Sequence, residues 1–402
     1  VDNLTHSLIG VAFARVLPKR WQRPEIYWAS VIGNNAPDAD FFMRFWPGTT
    51  PLDYLVHHRG YTHTFLFAPA MGLLAAGVAK LFNRKARWST ELFAIAIAAA
   101  FLHIGADFLN SYGVHPLTPF WNRWFYGDAV YIVEPLLWFV LLPFILKEAE
   151  RPWAKAGWAM VGVAALVLVW IFPTFGTTHS FALTAFFVLS ALIQLRWVRP
   201  LALRRAVVVS FFALVLGVFF VGGARAREIL RTEWLKATTG REVFVDLASN
   251  STPGHPWCWT LWLATRNADA FYFRAAEVSL WPSLIPAASC DALSPQERTA
   301  ELRRVDFPSD TQTKWELEAR FPLVEWRMLR DRSCTFRRLL SFARFPFAKT
   351  ESDGSVIAGD HRYDRQKELG FTEFRIAKDE NCPPANGGES GEGPWEFPLR
   401  EP

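Results

Sequence analysis

No cysteine occurs before Cys258, so the first half of this 402-residue chain can build neither a thiolate metal site nor a disulfide. The four cysteines that exist, Cys258, Cys290, Cys334 and Cys382, form no CxxC pair, which removes a zinc knuckle. They allow three pairings, and spacing does not choose among them. A serine nucleophile elbow, a P-loop and a dinucleotide-binding glycine motif are also missing. The start lacks a basic region ahead of its apolar run and carries Asp2 and His6, so no cleavable leader is expected. There is no internal repeat. Charge, too, is scarce over long stretches. Up to about Gly223 the chain consists of apolar runs split by short polar breaks, and from Ala224 onward it is charged and Pro-punctuated. A membrane half followed by a water-facing half is the expectation.

Six apolar segments approach the roughly 20 residues a bilayer span needs: 61–82, 91–110, 129–147, 156–173, 179–196 and 206–223. Two shorter helical stretches, 4–17 and 25–36, precede them as short spans or a re-entrant pair. Of the 18 Lys and Arg before Gly223, 15 fall at alternate breaks: Arg15 to Arg23, Lys80 to Arg87, Lys147 to Lys155 and Arg196 to Arg205. The other breaks hold only Arg44, Arg59 and Arg123. Cytoplasmic loops carry the Lys/Arg excess, so the 15 mark the inner side. The net charge of +5 is therefore a topology signal, and nucleic acid is not an expected partner. The domain after the last span is expected outside, where an oxidising environment suits its cysteines. That domain, 224–380, reads as β-rich, with a hairpin turn at "RNADA" (266–270), a rigid turn at "STPGHPW" and one helical stretch, "VEWRMLRDRSCTFRRLLSFARF". The tail 381–402 is rich in Gly, Pro and Glu and is expected to be disordered.

Ionisable residues near a membrane are costly and mark function. Here they gather at the outer ends of the helices: His6; Asp38 and Asp40 in "PDAD"; His57, His58, Arg59 and His63 in "VHHRGYTH"; and His103 with Asp107 in "HIGAD". The last two are four apart and share a helix face. Imidazole and carboxylate suit zinc, manganese or iron when thiols are absent, and the number of donors suggests a two-metal site of the kind that hydrolyses phosphoesters. His57 and His58 diverge by about 100° on a helix. His58 is favoured as the ligand, and His57 as a neighbour or base. Arg59 could neutralise a substrate oxyanion, and Glu134 is a substrate contact or supporting residue. Asp38, Asp40 and His57 remain open as general base.

The motifs "DNLTHSLIG", "PDAD", "HRGYTHT", "HIGADFLNSYG" and "YIVEP" resemble the YdjM-like membrane-bound metal-dependent hydrolases, a LexA-regulated inner-membrane family. The resemblance covers roughly 1–145, with Thr64 where serine is commoner and Glu134 where aspartate is expected. It implies a bacterial inner-membrane protein whose metal centre uses His6, Asp38, Asp40, His58, His63, His103 and Asp107. Together these readings describe a mostly α polytopic membrane protein of about six to eight transmembrane or re-entrant helices (1–223) with a C-terminal β-rich soluble domain. Its expected role is metal-dependent hydrolysis of an ester or phosphoester in a lipid-linked or amphipathic substrate, with one or two divalent ions, zinc first. Catalysis is assigned to His57, Arg59 and Asp40, and substrate binding to Arg59 and Glu134. A metal- or proton-coupled transporter is the rival reading. Oligomeric state is not legible.

Overall fold

The structure is a computed structural model, and it describes residues 1–172, 175–238, 240, 242–290, 298–367 and 369–382. Helix α1 (Asn3–Val16) starts where the Asp2 carboxylate accepts the Thr5 amide, and α2 (Pro24–Gly33) starts on a proline. A 3-10 segment, Pro37–Phe45, leads to α3 (Pro51–His57), opened by a Thr50/Asp53 capping box. A 3-10 turn, Tyr61–His63, then precedes α4 (Ala68–Phe82). Next come α5 (Thr90–Phe108), α6 (Pro135–Glu148), α7 (Pro152–Ile171), α8 (Thr177–Ala191) and α9 (Leu201–Ala237).

Small residues let α2, α4 and α5 approach closely, which is how helices gain contact in lipid. Ala75, Ala76 and Ala79 of α4 and Ala96 of α5 are buried in one cluster. A Cβ on Gly33 would lie 2.6 Å from the Ala96 carbonyl oxygen, and one on Gly72 would lie 2.5 Å from the Ile97 Cα. Helix α6 is buried from Pro135 to Ile145 and packs against α1, α7, α8 and α9.

Among the described residues, four helices are long and apolar enough to cross a membrane: Thr90–Phe108, Pro152–Ile171, Thr177–Trp197 and Leu201–Ala237. A fifth span exists if Pro51–His63 and Ala68–Phe82, bent by 80°, count as one. Of the six to eight transmembrane or re-entrant helices expected, α1, α2 and α6, with 14, 10 and 14 residues, fall short of a full span by length. The run 129–147 is helical only from Pro135, and its apolar character comes from burial on every side. The basic clusters do fall on the α1–α2, α4–α5, α6–α7 and α8–α9 connections.

Helix α9, 37 residues and about 55 Å long at 1.5 Å per residue, passes through position 223 without a break. Its C-terminal part lies on an antiparallel five-stranded sheet of order β1-β2-β3-β5-β4: β1 (Val243–Thr252), β2 (His255–Arg266), β3 (Ala270–Ser279), β4 (Arg303–Arg304) and β5 (Thr313–Pro322). The turns at 266–270 and around Gly254 join β2 to β3 and β1 to β2. Two helices, α10 (Leu323–Arg332) and α11 (Cys334–Leu340), lead to a three-stranded sheet of β6 (Pro346–Thr350), β7 (Val356–Asp360) and β8 (Phe374–Ile376).

One apolar core runs from α6 through α9 into this sheet, ending on the buried Trp259, Leu261 and Trp315. Trp259 seats on Gly222 and Gly223, where a Cβ would meet its ring at 3.0 Å. The cysteines pair in chain order, Cys258 with Cys290 and Cys334 with Cys382. Cys382 is thereby fastened within the stretch expected to be a disordered tail, and the rest of that stretch, 383–402, lies outside the described residues.

Candidate metal centre

The buried stripe of α5 runs Leu92, Ala96, Ala99, His103, Asp107 at helical spacing, so the polar pair continues the face that packs on α2 and α4. At the end of α2 the Asn34 carbonyl has no helical partner and accepts a hydrogen bond from His103 Nδ1 at 2.9 Å. A carbonyl can only accept, so the His103 proton is on Nδ1 and its Nε2 lone pair points away from α2.

His63 is presented by the turn after α3. Its Nδ1 faces Thr62 Oγ1 at 3.0 Å and Asp40 Oδ2 at 3.4 Å, which directs its Nε2 inward as well. That turn is tight: Arg59 has φ +60°, a left-handed conformation that non-glycine residues seldom adopt, and Asp40 Oδ2 accepts its amide at 2.9 Å.

Asp38, His63, His103 and Asp107 each offer one donor atom, all within 4.8 Å of one another. His63 Nε2 lies 3.4 Å from Asp38 Oδ1, 3.3 Å from Asp107 Oδ2 and 3.0 Å from His103 Nε2. His103 Nε2 lies 3.5 Å from Asp38 Oδ1 and 3.4 Å from Asp107 Oδ2. Bonds of about 2.1 Å arranged tetrahedrally give edges of about 3.4 Å, so five of the six edges match a closed four-donor shell. Asp107 Oδ2 is buried with no hydrogen-bond partner. Two facing imidazole lone pairs and an orphaned carboxylate oxygen fit a divalent cation. Two His and two Asp suit zinc, manganese or iron over softer-ligand metals.

The remaining expected ligands stand around this set. His6 stacks on His103, with centroids 3.8 Å apart, and its Nε2 faces Asp107 Oδ1 at 3.2 Å. The same Oδ1 meets Arg59 Nη2 at 3.0 Å and the Val1 amino group at 2.6 Å. Asp38 and Asp40 occupy a 3-10 segment, where residues two apart diverge by about 120°. Asp40 therefore turns to His58 Nδ1 at 3.1 Å and backs His63 instead of joining the four donors. His58 joins Asp40 and not the donor shell. His57 is exposed at the end of α3, outside the cluster, so neither its assignment as base nor the two-metal arrangement has geometric backing among the described residues. Glu134, expected at the substrate, caps α6 through the Leu136 amide at 3.0 Å. It also holds the Gly254 amide at 3.1 Å, fastening the β1–β2 turn to the membrane half.

A cavity of about 700 Å³ adjoins the centre through Arg59, which contacts Asp107; it is lined by His58, Arg59 and Tyr112 and by residues of β1 and β2 together with His361, Arg362, Tyr363, Arg365, Gln366, Gly370 and Phe371. Its lining includes Arg298, Arg362 and Arg365 of the C-terminal region. None of these was singled out in the sequence, because arginines in a soluble domain carry no distinguishing spacing.

No solved structure matches the chain. The Bacillus subtilis (strain 168) protein described as "Uncharacterized protein YfhP" is 24% identical over 144 residues, covering 34% of this chain and 43% of that protein, so well under two thirds of its length is spanned. Residues 1–179, which contain all four donors, match the model of the YdjM inner membrane protein family, the family that the motifs resemble.

Proposed function

We propose that the protein is an integral-membrane, metal-dependent hydrolase acting on an ester or phosphoester of an amphipathic substrate at the outer face of the inner membrane. The observation that carries this reading is the convergence of Asp38, His63, His103 and Asp107 at tetrahedral-edge distances, with the His103 tautomer set by the Asn34 carbonyl and His63 Nδ1 turned to Thr62 and Asp40. A divalent metal held there would supply Lewis acidity and lower the pKa of water. Arg59 bridges centre and cavity and neutralises negative charge that develops on the substrate. His58, oriented by Asp40 and lining the cavity, carries the proton between water and leaving group. Cytoplasmic basic connections, as the Lys/Arg excess favours, and disulfides, as an oxidising compartment favours, support a centre, cavity and C-terminal domain on the opposite side. The short helices α1, α2 and α6, roughly 15–21 Å long, complete an eight-helix layer and leave the centre below the outer surface.

Elemental analysis of detergent-purified full-length protein tests this reading. Wild type is expected to carry about one equivalent of transition metal; Asp38→Asn and His103→Ala lose it, together with at least about 100-fold of ester or phosphodiester hydrolysis. Wild-type protein that takes up no zinc, manganese or iron on reconstitution would sink the proposal.

A further inference from the structure

The cavity wall carries more positive charge than the protein neutralises. Arg44, Arg298 and Arg365 form no direct salt bridge among the described residues, Asp364 and Glu277 act on Arg298 only at longer range, and no Asp or Glu lines the cavity. Arg298 Nη1 donates to the carbonyls of Asp364 at 2.8 Å and His361 at 3.4 Å, while its buried Nε has no acceptor. Arg365 donates to the Tyr131 hydroxyl at 2.9 Å, and Arg44 lies over the Phe41 and Tyr54 rings. His361, 1% exposed, lines the same cavity with neither ring nitrogen hydrogen-bonded. Burial pushes its imidazole down to about 3, so it is a neutral donor or acceptor and not a fourth cation.

Arg44 and Arg365 are exposed and Arg298 is half-buried, so the three cations face an open, water-accessible space in which an anion would be attracted to all of them. Guanidinium forks match phosphate oxygens in geometry and charge, and a phosphate offers more oxygens and more charge than a carboxylate to a wall of three arginines. The 3-10 segment that places Arg44 on the wall also exposes Phe42 (70%), Phe45 (69%) and Trp46 (74%). Such aromatics suit the level where hydrocarbon meets headgroups.

We infer that the cavity receives the phosphate head of an amphiphile, with Arg44, Arg298, Arg365 and His361 taking the phosphate oxygens and the aromatic rim at 42–46 meeting the hydrocarbon. This deepens the hydrolase reading and rests on it only in taking the occupant for the substrate. The head binds on the outer-domain side of Arg59, and the four-donor centre lies behind Arg59, so the scissile bond is one joining the phosphate to its substituent or adjacent to it.

Calorimetric titration of the full-length protein in dodecyl maltoside with hexylphosphonate, whose C–P bond resists hydrolysis, reads binding without turnover. Wild type is expected to bind hexylphosphonate at least tenfold more tightly than inorganic phosphate and to ignore hexyltrimethylammonium. Arg298→Gln and the exposed Arg365→Gln are each expected to weaken hexylphosphonate about tenfold or more. Because Arg365 is at the surface, its variant keeps the test valid if Arg298→Gln fails to fold. Equal affinity for inorganic phosphate and hexylphosphonate would overturn the amphiphile and leave a free-phosphate site. Absent binding, or affinity unchanged in both variants, would overturn the inference while leaving the metal test untouched. Wild-type protein that binds hexylphosphonate but takes up no zinc, manganese or iron would overturn the hydrolase reading alone.

Discussion

Arg344 joins three separate parts of the chain through one buried guanidinium. Its Nη1 donates to both Asp128 oxygens at 3.0 Å, and its Nε and Nη2 donate to Asp246 at 2.8 and 3.0 Å. It stacks on Tyr126 at 3.9 Å. Burial pushes the Asp128 carboxyl above its usual range even with the cation beside it. Removing the arginine leaves two aspartates uncompensated, and breaking such a buried pair costs about 3–5 kcal/mol. Arg344→Ala is expected to lower unfolding stability by that amount in denaturant titration, and Arg344→Lys by less. Equal stability of Arg344→Ala and wild type would refute the clamp. At this scale the sequence shows which residues are chemical but not what each does. His103 and Asp107 stand out because an apolar helix has no other reason to carry them. The division of labour among Asp38, Asp40, His57 and His58 depends on the left-handed turn at Arg59 and the 3-10 pitch of 37–45, and neither leaves a mark on composition.

Helix packing sets the donor geometry from a distance. Gly33 is the last residue of α2, one before the carbonyl that holds His103 and five before Asp38. A methyl group there meets the Ala96 backbone at 2.6 Å, so α2 and α5 must separate. Overpacking of this kind costs about 1–3 kcal/mol, and small displacements of donors weaken a metal shell sharply. Gly33→Ala is expected to reduce metal affinity at least tenfold while touching no donor, as read by competition with a chelating dye. Unchanged affinity would show that the helices yield without disturbing the centre. Elements of long, uniform pattern are the legible ones: the four helices long enough to span, the 266–270 hairpin and the helical stretch after β5. Helix α6 misleads because burial inside protein and burial in lipid select the same residues. The bend before α4 misleads because "HTFLFAPAM" is apolar on both sides of it.

Across the whole molecule, the cavity is built by parts more than 200 residues apart in sequence, His58 and Arg59 from one half and Arg298 to Arg365 from the other. Such a site cannot be read from either half alone, and only the membrane half has the motifs that reveal a family. The two halves are locked by Trp259 on the glycine pair, by Glu134 on the Gly254 amide and by Arg344, beside a helix that runs unbroken from its apolar part to the sheet. Helix α9 thus behaves as a stiff mast. A bilayer of different thickness cannot be absorbed by flexing at the surface, so the mast must lean, and the arginine-bearing domain leans with it. Acyl-chain length then becomes a tuning variable for catalysis: turnover in nanodiscs of short-chain and long-chain lipid is expected to differ several-fold at equal metal content.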